Sequence, residues 1–422
     1  MEETKKFHER ISTEGYTLVL PKELREKSFE ILNETAFPTT KTEAWKYTRT
    51  TRISNGTFQL VKPEINSISE YLIEGLNGNV LVFVNGFYQA GLSIIKDTKG
   101  LNISPLTETN QEWIGANTNQ QVQLEGEVFN ALNTAFTTDG VSIEIAKNAI
   151  IEDPIQLIYI TTGSTVLSSV RNILVANENS DATVVMGYYG EQADSNFTNV
   201  ITEVKVKQNA SLSIHKIQHE NNTNFHINTE TVSQDRDSRF TLSTSTFSGA
   251  IVRNNVYVHV DGENAETNLY GLYLTDEKQV VDNHTVIDHK VPNCNSNELY
   301  KGVLDGQSTG VFNGKVFVRE QAQKINAFQS NGNVLLSDNA SMNSKPELEI
   351  YADDVKCSHG STTGQIDEEA IYYLRARGIS ERSAKSLMIN GFVGEVVEQI
   401  SNEIIREHIT KLMAKKLGYS FE

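Results

Sequence analysis

The chain is poor in the residues that would staple it together or hold it in a membrane. Only two cysteines, Cys294 and Cys357, occur in 422 residues, so no disulfide framework is available and a reducing compartment would keep both as thiols. No run of about 18 apolar residues is present, and the opening MEETKKFHERISTEG lacks the apolar stretch of a secretory signal. The chain therefore reads as cytoplasmic. Positive charge is also short, with 37 Lys and Arg against 54 Asp and Glu and a formal charge of −17. Neither nucleic acid nor an anionic bilayer would release counterions to such a surface, so the expected partners are proteins or small molecules.

Ready-made catalytic motifs are missing as well. The stretch from Gly310 through Gly314 and Lys315 has the wrong glycine spacing for a phosphate loop, and no Ser or Thr follows the lysine. Gly306-Gln307-Ser308-Thr309-Gly310 spells G-x-S-x-G, but the strand-like VFNGKVFV follows where a hydrolase elbow needs a helix. There is no H-E-x-x-H or C-x-x-C pair, and the nine histidines are scattered. His284 and His289, five apart, would point to opposite faces of a strand. No local motif supports a catalytic reading.

What is present is a long alternating pattern. The first sixty or so residues carry helical signals, with Pro21 at a possible first helical position and Leu24, Ser28, Ile31 and Leu32 at helical spacing. The aromatic pair Trp45 and Tyr47 in FPTTKTEAWKYTRT reads as a loop anchor. NVLVFVNGFYQAGLS reads as a hairpin about Asn85-Gly86, and VFNALNTAF as a short helix. From about Val141 to Tyr351, β-branched residues alternate with polar ones and small polar corners recur. Ser180-Asp181-Ala182, Gln208-Asn209-Ala210, Arg236-Asp237-Ser238 and Glu263-Asn264-Ala265 end at 182, 210, 238 and 265, giving gaps of 28, 28 and 27. Ala322 and Ala340 sit in similar phrases. This is the pattern of a stacked β-solenoid whose rungs consist of several short strands. A β-sandwich also gives short strands with regular turns, but the near-constant gap favours the solenoid. The expected organisation is a mostly helical domain with a hairpin over 1–140, a β-solenoid over 141–362 and a helical domain over 363–422. Helices at both termini could cover the open terminal rungs, which would otherwise expose unpaired backbone groups.

In the last segment Asp367 can cap a helix that Gly378 closes. A second helix is expected from Ser380 through Asn390, closed by Gly391. A third carries Val393, Val396, Val397, Ile400, Ile404, Ile405, Ile409 and Leu412, an apolar stripe that packs on this chain's own helices or docks a separate protein. Between solenoid and helices lie Cys357 and His359. On an extended segment, positions i and i+2 face one side, so thiolate and imidazole could converge on one metal or sulfur species. Two ligands are too few for zinc or a cluster. Asp353 and Asp354 are the nearest further candidates, and another chain could complete the set. A buried thiol beside a hydrogen-bonded histidine remains the alternative.

YKGVLDGQSTGVFNGKVFVREQAQKINAFQSNGNVLLSDNASMNSKPELEIYADDVKCSHGSTTGQIDEEAIYYLRARGIS resembles the signature block of the SufB/SufD family of iron–sulfur cluster assembly proteins. FPTTKTEAWKYT resembles the family's N-terminal element. The wording around KPELEIYADDVKCSHG is that of the family's SufD branch. The resemblance implies a right-handed parallel β-helix flanked by helical domains, acting as a non-catalytic scaffold. It implies pairing with a SufB-like paralogue and docking of the SufC-like ABC ATPase on the helices around Asp367, Glu368, Tyr372, Arg375, Arg377, Ser383, Leu387 and Phe392. The family's functional histidine falls on His359 and its motif cysteine on Cys357, both shared with the partner chain. Iron or a nascent cluster would be held transiently in the complex, with no cofactor held tightly by the isolated chain, which could also form a homodimer. A structural or carbohydrate-binding solenoid without a metal role is the alternative.

Overall fold

The computed structural model describes residues 2–65, 67–191 and 195–418. The N-terminal part contains helices α1 (Glu2–Glu9), α2 (Lys22–Glu34) and α3 (Thr51–Ser54), strands β1 (Val80–Val84), β2 (Phe87–Tyr88) and β3 (Leu101–Pro105), and helices α4 (Gln111–Asn117) and α5 (Val128–Phe136). Strands then follow without a helix: β4 (Asp139–Ile145), β5 (Ile155–Thr161), β6 (Leu167–Ala176), β7 (Asp181–Gly190), β8 (Phe197–Val206), β9 (Ser211–His219), β10 (Phe225–Gln234) and β11 (Arg239–Ser248). The run continues with β12 (Ile251–Val260), β13 (Glu266–Thr275), β14 (Val280–His289), β15 (Asn295–Leu304), β16 (Thr309–Val318), β17 (Ile325–Leu335), β18 (Ser341–Ile350) and β19 (Val355–Gln365). Helices α6 (Glu368–Ala376), α7 (Glu381–Val397) and α8 (Glu403–Leu417) close the chain.

From β4 onward consecutive strands alternate between two sheets, and within each sheet they pair in parallel. The expected solenoid is therefore present, but each turn has two strands of about ten residues rather than several short ones. Alternation that runs unbroken for ten residues needs only two corners per turn. Asp181 pairs with Ser211, Ser211 with Arg239, Arg239 with Glu266, Glu266 with Asn295, Asn295 with Asn326 and Asn326 with Lys356, offsets of 30, 28, 27, 29, 31 and 30 residues. One corner is marked by left-handed residues at Asn148, Asn179, Asn209, Asp237, Asn264, Asn293 and Lys324. Five of these seven are asparagines, the side chain that best tolerates that conformation after glycine. Their amides form a ladder along the edge: Asn179 Nδ2 donates to Asn148 Oδ1 at 2.7 Å, and Asn209 Nδ2 to Asn179 Oδ1 at 2.9 Å. From Asn179 onward the residue after each is buried: Ser180, Ala210, Ser238, Ala265, Cys294 and Ile325. The sequence count of 182 was thus two residues late, and Ala322 and Ala340 are not its continuation.

Cys294 takes the corner place of an alanine. It is fully buried, and its Sγ donates to the carbonyls of Pro292 and Gly262. Burial also pushes its thiol pKa up, so it is a packing residue.

The Asn85-Gly86 hairpin forms as expected, with φ of 54° and 82° at the turn, and β1 also pairs in parallel with β5. All nine residues of α5 are buried. The helix lies on the outside of the nine-stranded sheet, where Asn133 Nδ2 donates to the carbonyls of Val170 and Asn199. Trp45 is buried over Arg253, 3.9 Å from ring centroid to guanidinium, while Tyr47 is exposed. Only one of the two aromatics is the anchor, because the tight turn Glu43–Trp45 buries a single face.

The C-terminal helices differ from expectation in place and extent. They do not cover the end of the solenoid but lie on its flank, where Ile389, Val393, Val396, Ile405 and Ile409 pack with Phe247, Leu272, Leu274, Leu299 and Val303. The apolar stripe is covered by the solenoid. Gly391 does not close a helix: α7 continues through it to Val397, since burying Val393 and Val396 outweighs the roughly 1 kcal/mol cost of an interior glycine. The stripe is consequently divided between α7, the turn at Ile400 and α8.

Candidate functional site

The sheets end differently at their two ends. At the N-terminal end they finish on the short antiparallel strands β2 and β3, and at the other on β18 and β19, the last strands of their sheets among the described residues. Unpaired strand edges of ten residues are normally blunted or covered. Among the described residues no further strand pairs with either, and the side chains of β19 from Ser358 to Gln365 are exposed.

Cys357 and His359 both lie on β19, in register with Ala327 and Gln329 of β17. Cys357 packs against the core between the sheets. Ser361, two residues beyond His359, donates across the lumen to Ser344 at 2.7 Å, and Ser344 donates to buried Asn331 at 2.8 Å. Alternation thus turns Cys357, His359 and Ser361 inward, while Thr362 points out towards Gly332 and Phe392. Expectation and structure agree that thiol and imidazole share one face. Burial raises the Cys357 thiol, partly offset by a backbone hydrogen bond at Ala327. At neutral pH it therefore stays protonated. Asp353 and Asp354 do not complete the set. Among the described residues, no group of three or more His, Cys, Asp or Glu could hold a metal ion.

Beneath His359 the lumen is polar. Gln329 and Glu298, one and two turns back on the same inward column, are both buried, and Gln329 Nε2 donates to Glu298 Oε2 at 2.5 Å. Burial pushes the Glu298 carboxyl up to about 7, against the pull of the nearby Thr285 hydroxyl and of its Gln329 hydrogen bond. The sequence reading missed both residues. Stepping back by the turn offset from His359 would have found them.

The remaining predicted site residues sit on α6 and α7. Asp367 caps α6 by accepting from the backbone N–H groups of Glu369 and Ala370, Glu368 lies in the first turn, and Arg375 in the last. Arg377 stacks 3.7 Å from the Tyr373 ring. Tyr372 and Leu387 are 74% and 53% exposed. Ser383 donates its N–H to the α7 cap Ser380. Phe392 is committed to this chain, since Lys301 lies 4.8 Å from its ring and donates to its carbonyl at 2.7 Å. His284 is an ordinary strand residue paired with Asp282, and His289 is buried against Ser296. Ser308 is buried at a corner ahead of β16, so the G-x-S-x-G string has no helix.

The family model for the SUF system FeS cluster assembly SufBD core domain matches residues 159–392, and that for the SufBD protein N-terminal region matches residues 6–157. The iron-sulfur cluster assembly protein SufD of Escherichia coli is 30% identical over 391 residues, covering 92% of this chain and 90% of that protein. An iron-sulfur cluster assembly SufBD family protein of Synechocystis is 30% identical, covering 89% of this chain and 86% of that protein. Protein ABCI7, chloroplastic, of Arabidopsis thaliana is 28% identical, covering 91% and 83%. With both halves matched and a SufD at 30% identity over nearly its whole length, the chain belongs to the SufBD family of iron–sulfur cluster assembly proteins.

Proposed function

We propose that this chain is a non-catalytic scaffold subunit of SufD type. It pairs through the open β18–β19 rung with a SufB-like paralogue, carries a SufC-like ABC ATPase on α6 and α7, and presents His359 to iron or a nascent cluster at the shared interface in the cytoplasm. The observation that carries this reading is the pair Cys357 and His359, turned inward on an edge strand with, among the described residues, no third His, Cys, Asp or Glu grouped with them to hold a metal ion. Two ligands are half of a usual zinc or iron–sulfur set. A second solenoid end abutting this one would pair the exposed backbone and add the missing donors. His359 is the principal ligand or iron-positioning group, and Cys357 is the subsidiary one. The exposed Tyr372 and Leu387, with the charged ends of α6, form the ATPase-docking face. Without its paralogue, the same rung pairs with a second copy of this chain. No described helix is long and apolar enough to cross a membrane.

Anaerobic co-expression with SufB-like and SufC-like partners tests the site. Bound iron and sulfide are expected to fall to background in His359→Ala while the three subunits still co-purify. Equal iron and sulfide in wild type and variant would remove His359 from the site. Tyr372→Ala with Leu387→Ala is expected to lose the ATPase from the complex and leave the paralogue bound.

A further inference from the structure

We infer that Gln329 and Glu298 are positioning residues for His359, holding its imidazole in one tautomer with a nitrogen lone pair turned to the open end of the solenoid. The inference rests on the reading of His359 as an iron-binding or iron-positioning group. The inward column that ends at His359 reads Ile214, Leu242, Leu269, Glu298, Gln329 and His359, each in register with the next. Its first three members are aliphatic and its last three polar. Continuing with leucine would have been cheaper, because a buried carboxyl and amide cost free energy unless hydrogen-bonded. The change in character is confined to the turns nearest the open end.

Within this column the amide of Gln329 is fixed from two sides. Its Nε2 donates to Glu298. Across the lumen stands Gly314, where a Cβ would come within 2.3 Å of that same Nε2. The glycine vacates the space the amide occupies, and the residues in register with it, Thr285 and Pro346, are small or compact. With the nitrogen engaged, Gln329 Oε1 is left buried with no hydrogen-bond partner among the described residues. The next inward side chain is His359, one rung away at the strand spacing of about 4.8 Å. An imidazole N–H donated to this oxygen satisfies it, and the other ring nitrogen then bears the lone pair a metal needs.

The test reads the tautomer directly, without any cluster. Full-length chain with ¹⁵N-labelled histidine gives long-range proton–nitrogen correlations for each ring, and the His359 signals are those lost in His359→Gln. Wild type is expected to show one dominant tautomer. In Gln329→Met, which keeps the volume and removes the acceptor, the tautomer ratio should fall about fivefold, the weight of one ordinary hydrogen bond. Glu298→Gln, gentler on the fold, should lower the ratio in the same direction, and the exchanged pair Glu298→Gln with Gln329→Glu should restore it. An unchanged ratio in Gln329→Met, or in Glu298→Gln should the methionine variant fail to fold, overturns the positioning role. A lowered ratio alongside full iron content in a His359→Ala complex leaves the positioning standing and removes the ligand reading beneath it.

Discussion

At the residue scale, one heavy commitment outside the site is Arg253. Its guanidinium is buried between the Trp45 ring, the Ala44 carbonyl and Asp282, with a 2.7 Å ion pair to the last. Burial alone would raise the Asp282 carboxyl, but Arg253, His284 and Thr48 outweigh it and hold it at about 2. Replacing Arg253 by Met would leave a buried carboxylate without its cation, so a loss of about 3–5 kcal/mol is expected, measured as a shift of the denaturant midpoint. Exposed pairs such as Lys5–Glu9 should contribute almost nothing in the same assay. Trp45 was legible as an anchor from its aromatic character. Its partners were not, because more than two hundred residues separate them and a charged strand residue reads as solvent-facing. Gln329 and Glu298 were hidden for a related reason: a polar side chain between β-branched neighbours gives no sign of facing inward until the turn length is known.

At the element scale, the C-terminal helices are an appliqué on the flank of the solenoid. Their apolar side is buried on β11, β13 and β15, yet no strand pairing depends on them. Val393→Asp, at a fully buried position, should therefore detach α7 and α8 without melting the sheets. Limited proteolysis is expected to cut within 366–403 many-fold faster than in wild type, leaving a trimmed β-rich core with an unchanged far-ultraviolet strand signal. Loss of the core together with the helices would show instead that the flank holds the solenoid up. Helix starts were legible here, since Asp367 and Ser380 cap as their side chains allow. The end of α7 was not, because a glycine stops a helix only where no tertiary burial pulls the next turn inward.

At the scale of the whole molecule, buried ionisable groups set the response to acid. Burial pulls the imidazoles of His215, His219 and His289 down to about 4. The unfolded chain takes up protons on them below about 6.5 that the folded chain refuses, so each loses stability as pH falls from about 6.5 to about 4. Asp139, raised to about 6, and Glu298, raised to about 7, act oppositely, being protonated in the fold where the unfolded chain is not. Burial also lowers His8, His259, His284 and His408, and it raises Glu127 in the opposite sense. The imidazoles outnumber the carboxyls, so unfolding takes up protons near pH 5 and stability should fall as pH is lowered from about 6.5 to about 4, to be read from urea midpoints at several pH values. The solenoid itself was legible because its repeat is written in corner residues. Its two-strand turns were not, since only one of the two corners carries the repeated asparagine signal and the other varies in length and composition.

The open last rung also makes abundance a property of the structure. On the proposed pairing, a neighbour that takes up the open rung adds to the fold's own stability in proportion to how much of it is present, and any surplus copy offers a growing edge to every other surplus copy. An imbalance in the synthesis of such a pair would then appear as aggregation well before any loss of chemistry.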